Sequence, residues 1–189
     1  MGKTIDGIDN QLRAFIGAQR MFFVATAPLD TAGHVNVSPK GLDTFRILGP
    51  RQVAYLDYVG SGAETIAHLR ENGRIVMMWC AFEGPPKIVR LHGRGEVLVP
   101  SDAEYHRLRP HFPTQPDART IIVVSVQRVA SSCGFGVPLY RFEGNRSQLP
   151  DWADRKGERG LRDYQRRNNV ESIDGLAAVT WLDAGEPDS

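Results

Sequence analysis

"YLDYVGSGAETIAHLRENGRIVMMW" (residues 55–79) sets the organisation of this chain. Its first residues end a strand that starts at Gln52. Gly60-Ser61-Gly62 breaks that strand. Residues 63–73 follow with Ile66 and Leu69 on one helical face, and Gly73 stands where a glycine ends a helix. Residues 74–82 then run almost continuously apolar, the pattern of a strand covered on both faces.

Upstream, Ile8, Leu12, Phe15 and Ile16 predict one face of a short helix, with Asp6 as its cap. "MFFVATA" (21–27), the turn "PLDTAGH" and "HVNVS" (34–38) predict a hairpin with Val35 and Val37 on one face. Downstream, 87–99 reads as a long strand bent at Gly93 and Gly95. Ser101 and Glu104 form a capping box for a helix over 101–108. Residues 120–131 and 138–144 complete a set of five to seven strands, which predicts a small antiparallel barrel. "RIVMMW" and "TIIVVSV" are apolar on both faces, so a helix or a second subunit must cover the outside.

The chain of 189 residues is long enough for one domain with its own core, and its net charge of +1 favours neither nucleic acid nor an acidic membrane. The N-terminus has no apolar signal core, and Asp6 spoils a myristoylation pattern at "MGKTID". Cys80 and Cys133 have neither C-x-x-C nor metal-ligand spacing, which fits reduced thiols and a cytoplasmic home. Cys80 reads as core, and Cys133 as a small buried side chain at a tight corner. After Gly144, charges of both signs interleave, predicting a peripheral arm anchored by Trp152, Leu161 and Tyr164. The division is therefore a barrel domain over 1–145 and a charged helical arm over 146–189, packed on the barrel or on a partner.

No G-x-S-x-G, H-E-x-x-H, P-loop or dinucleotide fingerprint is present. A set of phosphate-binding features remains. Backbone N–H groups at the start of the 63–73 helix attract anions, and Ser61 and Thr65 add hydroxyls. Lys40, in "HVNVSPKG" (34–41), supplies a full charge. Each has a plainer reading: the glycine turn as only a turn, Lys40 as a solvated loop lysine. Glu64 opposes an anion unless it points away.

The ordered set "VNVSPKG", "YLDYVGSGAETIAHLRENGRIVMMW", "LHGRGEV" and "SCGFGVP" resembles the pyridoxamine 5′-phosphate oxidase-like family of flavin-binding split barrels, over roughly residues 10–140. The resemblance implies a mainly β (α+β) fold, a six-stranded antiparallel split barrel with short flanking helices. It implies FMN at the interface of a homodimer. It sets the strand with Val37, Ser38 and Lys40 along the flavin, with Lys40 at the phosphate or ring. Ser61, Gly62, Ala63 and Thr65 would hold the phosphate, and residues near Trp79 would border the ribityl chain or ring, where the plain reading of Trp79 is core. Arg94, by its own strand, either faces the ligand or has a surface or structural role.

The departures are specific. The Arg-x-His-x-Arg element of the vitamin B6 oxidase is absent, and Val35 stands where the family's strand motif has arginine. The expectation is an FMN-dependent oxidoreductase acting on a small molecule other than pyridoxamine phosphate. The alternatives are deazaflavin F420 or haem on the same barrel, or a flavin-binding module without turnover.

Overall fold

A computed structural model gives the fold and describes residues 3–182. The Met1–Gly2 start of the myristoylation-like pattern and residues 183–189 of the arm lie outside the described residues.

Among the described residues eight strands form one antiparallel sheet: β1 (Lys3–Ile5), β2 (Phe22–Thr26), β3 (Asn36–Lys40), β4 (Phe45–Gly49), β5 (Gln52–Tyr58), β6 (Arg74–Cys80), β7 (Ile88–Leu98) and β8 (Ala118–Ser132). Their order is β3-β2-β6-β7-β8-β5-β4, with β1 paired to β8. β2 and β4 lie near opposite ends of that order, yet the Phe22 and Phe45 rings are 5.4 Å apart. The sheet therefore curls until its ends meet through side chains rather than through a ladder, which defines a split barrel. Inside it, Phe22, Val24, Tyr55, Met77, Trp79, Leu91 and Val124 form one core with Leu12 and Ile16 of the helix α1 (Asn10–Ala18).

The sequence reading expected six strands. β1 is too short for any period to show, and β4 is half-buried along its whole length, so neither alternates. "PLYRFEG" is not a strand: it runs as an exposed irregular segment, tied by Tyr140 N–H to the Phe82 carbonyl at 2.9 Å. Two caps also differ. Asp9, not Asp6, caps α1, accepting from Leu12 N–H at 2.7 Å. Asp102 rather than Ser101 precedes α3 (Ala103–Leu108), and no capping box forms. The helix α2 (Glu64–Asn72) does end on Gly73, at φ 69°, a conformation that glycine adopts without a Cβ clash.

The outside of β5, β7 and β8 is covered by α3 and the turn after it, through Tyr105, Leu108 and Phe112 against Leu56, Leu98 and Ile121. The outside of β3, β2 and β6 has no such cover among the described residues. Register places Pro39, Phe23 and Met78 in one row and Val37, Ala25 and Val76 in the next. Val37 is 62% exposed.

The arm begins with α4 (Gln148–Asn168), broken at Gly157 (φ 63°). Ala153 and Leu161 bury against Val59, with Trp152 and Tyr164 beside them. The following segment returns over α2, burying Ala178 and Val179 against Ala63, Ile66 and Ala67. Arg70 fixes it by donating to the Ala178 carbonyl and the Thr180 hydroxyl, both at 2.7 Å. No described helix is long and apolar enough to cross a membrane.

Between β5 and α4 lies Asp117, buried, with no hydrogen-bond partner for either carboxylate oxygen among the described residues. Burial raises its pKa from the ordinary carboxylate value. A buried, unpaired carboxylate opposes folding above its unfolded pKa. Asp117→Asn is expected to raise Tm at pH 7 by a few degrees, equivalent to roughly 1 kcal/mol. Thermal melts at pH 7 and pH 4 test this: the gain should shrink at pH 4, and an unchanged or lowered Tm at pH 7 would refute it.

Candidate functional site

Strand pleat decides which side chains meet. On β3, Asn36, Ser38 and Lys40 point to one side and Val37 and Pro39 to the other. On β5, Tyr55 and Asp57 point into the barrel end while Ala54 and Leu56 face α3. Lys40 Nζ therefore reaches Asp57 Oδ1 at 3.2 Å, passing 5.9 Å from the Tyr55 ring centre.

Asp57 has a second cationic partner that sequence reasoning missed. The β5–β8 register pairs Asp57 with Thr120 but Tyr58 with Ala118, leaving Arg119 as the extra residue of a bulge. A bulge re-aims the side chain it carries. Arg119 donates to Asp57 Oδ2 through Nε at 3.0 Å and Nη2 at 2.8 Å. Burial raises the Asp57 carboxyl, but Arg119 and Lys40 outweigh it and hold the pKa below its usual value. The cluster thus contains two cations and one ionised carboxylate, a net charge of +1, with Asp57 and Arg119 buried and the Lys40 side chain 23% exposed.

The same arginine ties this charge to the glycine turn. Arg119 Nη1 donates to the Gly62 carbonyl at 3.2 Å and to Asn169 Oδ1 at 2.8 Å. Asn169 in turn donates to the Gly60 carbonyl at 3.1 Å. From β3, Asn36 Nδ2 donates to Thr65 Oγ1 at 3.0 Å and to Thr26 Oγ1 at 3.2 Å, and Ser38 Oγ donates to Asn36 Oδ1 at 3.2 Å. Residues 60–65 are therefore fixed against β3, β8 and the arm. Among the described residues no side chain makes an N-cap hydrogen bond at Ala63, and Ser61 is exposed beside it. Glu64 does not point away: a Cβ on Gly62 would lie 2.2 Å from its carboxylate, so Glu64 folds over the turn.

Lys40, Ser38, Gly62 and Thr65 are thus joined through Asp57, Arg119 and Asn36, and Ser61 and Ala63 lie in the same turn on either side of Gly62. Val37 lies on the opposite face of its strand, toward the uncovered apolar surface. Trp79 is not at the cluster's surface. It is 1% exposed, stacked on Phe22 at 5.5 Å and edge-on to Phe45 at 4.9 Å. Arg94 stands at the other end of α2, where it donates to the Asn72 carbonyl. A nine-residue helix separates it from the turn, about 13 Å. Cys133 is exposed rather than buried, whereas Cys80 is buried and its thiol pKa is pushed up by burial. The sequence did carry one signal for Asp57, a carboxylate inside "VAYLDY". Arg119 and Asn169 had none, because a bulge and a distant arm bring them in.

His68, on α2, extends the polar network inward. Its Nδ1 lies 3.0 Å from Thr26 Oγ1, and its buried Nε2 has no partner among the described residues. Burial lowers its pKa below the ordinary 6.5. The unfolded chain therefore binds this proton more readily, and stability falls as pH drops below about 6.5. His68→Gln is expected to flatten that slope between pH 7 and 5 in urea titrations. An equal slope in both proteins would assign the dependence elsewhere.

A split barrel with a fixed glycine turn and a buried cationic cluster is the class that fold and site define. Residues 8–133 match the family model described as pyridoxamine 5′-phosphate oxidase. A curated relative, the pyridoxamine 5′-phosphate oxidase family protein ustO of Aspergillus flavus, is 39% identical over 200 residues, covering 96% of this chain and 80% of the relative. The chain belongs to the pyridoxamine 5′-phosphate oxidase family. Among solved structures, HupZ of Group A Streptococcus aligns with a TM-score of 0.52 at 19% identity, covering 66% of this chain and 99% of that one. A protein described as a putative pyridoxamine 5′-phosphate oxidase from Lactobacillus delbrueckii gives 0.52 at 15%, covering 67% and 98%. These similarities show a shared fold.

Proposed function

We propose that this protein binds FMN as a homodimer and uses it in oxidoreduction of a small molecule. The observation that carries the reading is the net positive Lys40–Asp57–Arg119 cluster joined to the Gly60–Thr65 turn. That donor set fits a phosphate monoester. Lys40 would supply charge, Ser61 and Thr65 hydroxyls, and Gly62 and Ala63 backbone N–H groups. Glu64 must swing off the turn to admit it. Bound there, the flavin would supply hydride or electron transfer, and the protein would supply grip and orientation. The uncovered rows Pro39–Phe23–Met78 and Val37–Ala25–Val76 support a second copy against β3, β2 and β6, with Val37 at that contact. Trp79 would act on the ligand only through packing, by keeping β6 and β2 in register, and Arg94 by fixing the far end of α2.

Lys40→Ala tests the site directly. Asp57 keeps its two bonds to Arg119, so the fold should survive. FMN affinity, read from quenching of flavin fluorescence, should fall at least about tenfold. Unchanged affinity with an intact circular dichroism spectrum would return Lys40 to a purely structural cation.

A further inference from the structure

A second concavity lies apart from the glycine turn. The end of α1 and the residues after it (Ala18, Gln19, Arg20, Met21), the β6–β7 loop (Phe82, Glu83) and the segment Tyr140–Phe142 line an open concavity of about 370 Å³, a volume in the range of small-molecule sites. The chain builds these walls by specific contacts. Tyr140 N–H donates to the Phe82 carbonyl at 2.9 Å, and Phe142 N–H donates to Glu83 Oε1 at 3.2 Å. The Phe82 and Tyr140 rings are 5.5 Å apart. The Arg20 guanidinium lies 5.3 Å from the Phe142 ring centre. A smaller cavity of about 120 Å³ shares Gln19, Arg20 and Met21 and continues to Gly41 and Thr44, beside the Lys40 end of β3.

We infer that this concavity binds a small aromatic carboxylate. Three rings offer stacking and edge contacts to a ring of the ligand. Arg20 and Arg141 both line the space, and neither makes a hydrogen bond or ion pair to a described acidic side chain. Glu83, the acid in the lining, is engaged by the Phe142 N–H. The walls therefore carry one net positive charge and two forked donors suited to a carboxylate. Continuity with the Lys40 end of β3 makes this ligand the substrate; that designation rests on the flavin reading, while the binding itself does not.

Phenylacetate is the probe, titrated by calorimetry into the whole protein, with phenylacetamide and acetate as the chargeless and ringless controls. Phenylacetate should bind, and both controls should bind at least about tenfold more weakly. The Arg20→Gln/Arg141→Gln double variant should lose at least about tenfold in phenylacetate affinity and keep its FMN affinity. Lys40→Ala should do the reverse. No phenylacetate binding, equal binding of the amide, or an unaffected double variant would overturn the proposal. Phenylacetate binding that survives in a protein with no affinity for FMN would sustain the site and remove only its designation as the substrate's.

Discussion

Arg119→Met is expected to lower stability by about 3–5 kcal/mol, a large share of what a single domain has. The change removes two hydrogen bonds to Asp57, one to Gly62 and one to Asn169. It leaves a buried carboxylate facing only Lys40. Arg119→Lys should recover little, because one ammonium cannot bond Asp57, Gly62 and Asn169 from a fixed fork. Combining Arg119→Met with Asp57→Asn should recover much of the loss, since the cluster then holds no unpaired buried carboxylate and Lys40 reaches solvent. Urea denaturation of the three variants checks this. A loss below about 1 kcal/mol for Arg119→Met would mean the cluster is not a structural element. The pH dependence has a defined sign. The Asp57 pKa is held below 3.8, so the cluster's contribution is complete above that value and disappears as pH falls through the folded pKa.

Trp79→Ala carries a comparable cost, about 3–5 kcal/mol, because it empties the centre of the barrel. The indole packs against both Phe22 on β2 and Phe45 on β4, the two strands whose side chains close the curled sheet. Its removal should loosen that closure, which limited proteolysis around residues 41–50 would reveal. Trp79→Phe retains a ring in the same space and should cost far less. FMN affinity in Trp79→Phe should stay within about threefold of the parent. A tenfold loss of affinity in a stable Trp79→Phe protein would contradict the placement of Trp79 in the core and return it to the ligand.

Residues 52–99 were the most legible part of the chain. Strand, glycine turn, helix and strand each carry their own local signal there; Gly73 ends its helix, and the β7–β8 register shifts at Gly93. Local signals failed where tertiary partners decide. β1 forms only because β8 offers it a ladder, and β4 because β5 does. The alternation in "PLYRFEG" imitates a strand but finds no partner edge. The candidate site was half legible. Ser61 and Thr65 could be read because a turn into a helix advertises free N–H groups, and Lys40 because it stands as the one cation of its strand in "HVNVSPKG". The charge that organises them could not, since Asp57 and Arg119 are 62 residues apart and meet through a bulge. Asn169 joins from an arm that composition marks only as polar. Trp79 and Arg94, read toward the ligand from the family resemblance and from the strand that carries Arg94, stand in the barrel core and at the far end of α2.

The visible spectrum of the purified protein, with mass spectrometry of whatever heat releases and an FMN titration of any colourless fraction, tests the central claim most directly. The account predicts a flavin spectrum, or its appearance on titration, and the mass of FMN. Absence of flavin in the purified protein together with no response to added FMN would contradict it.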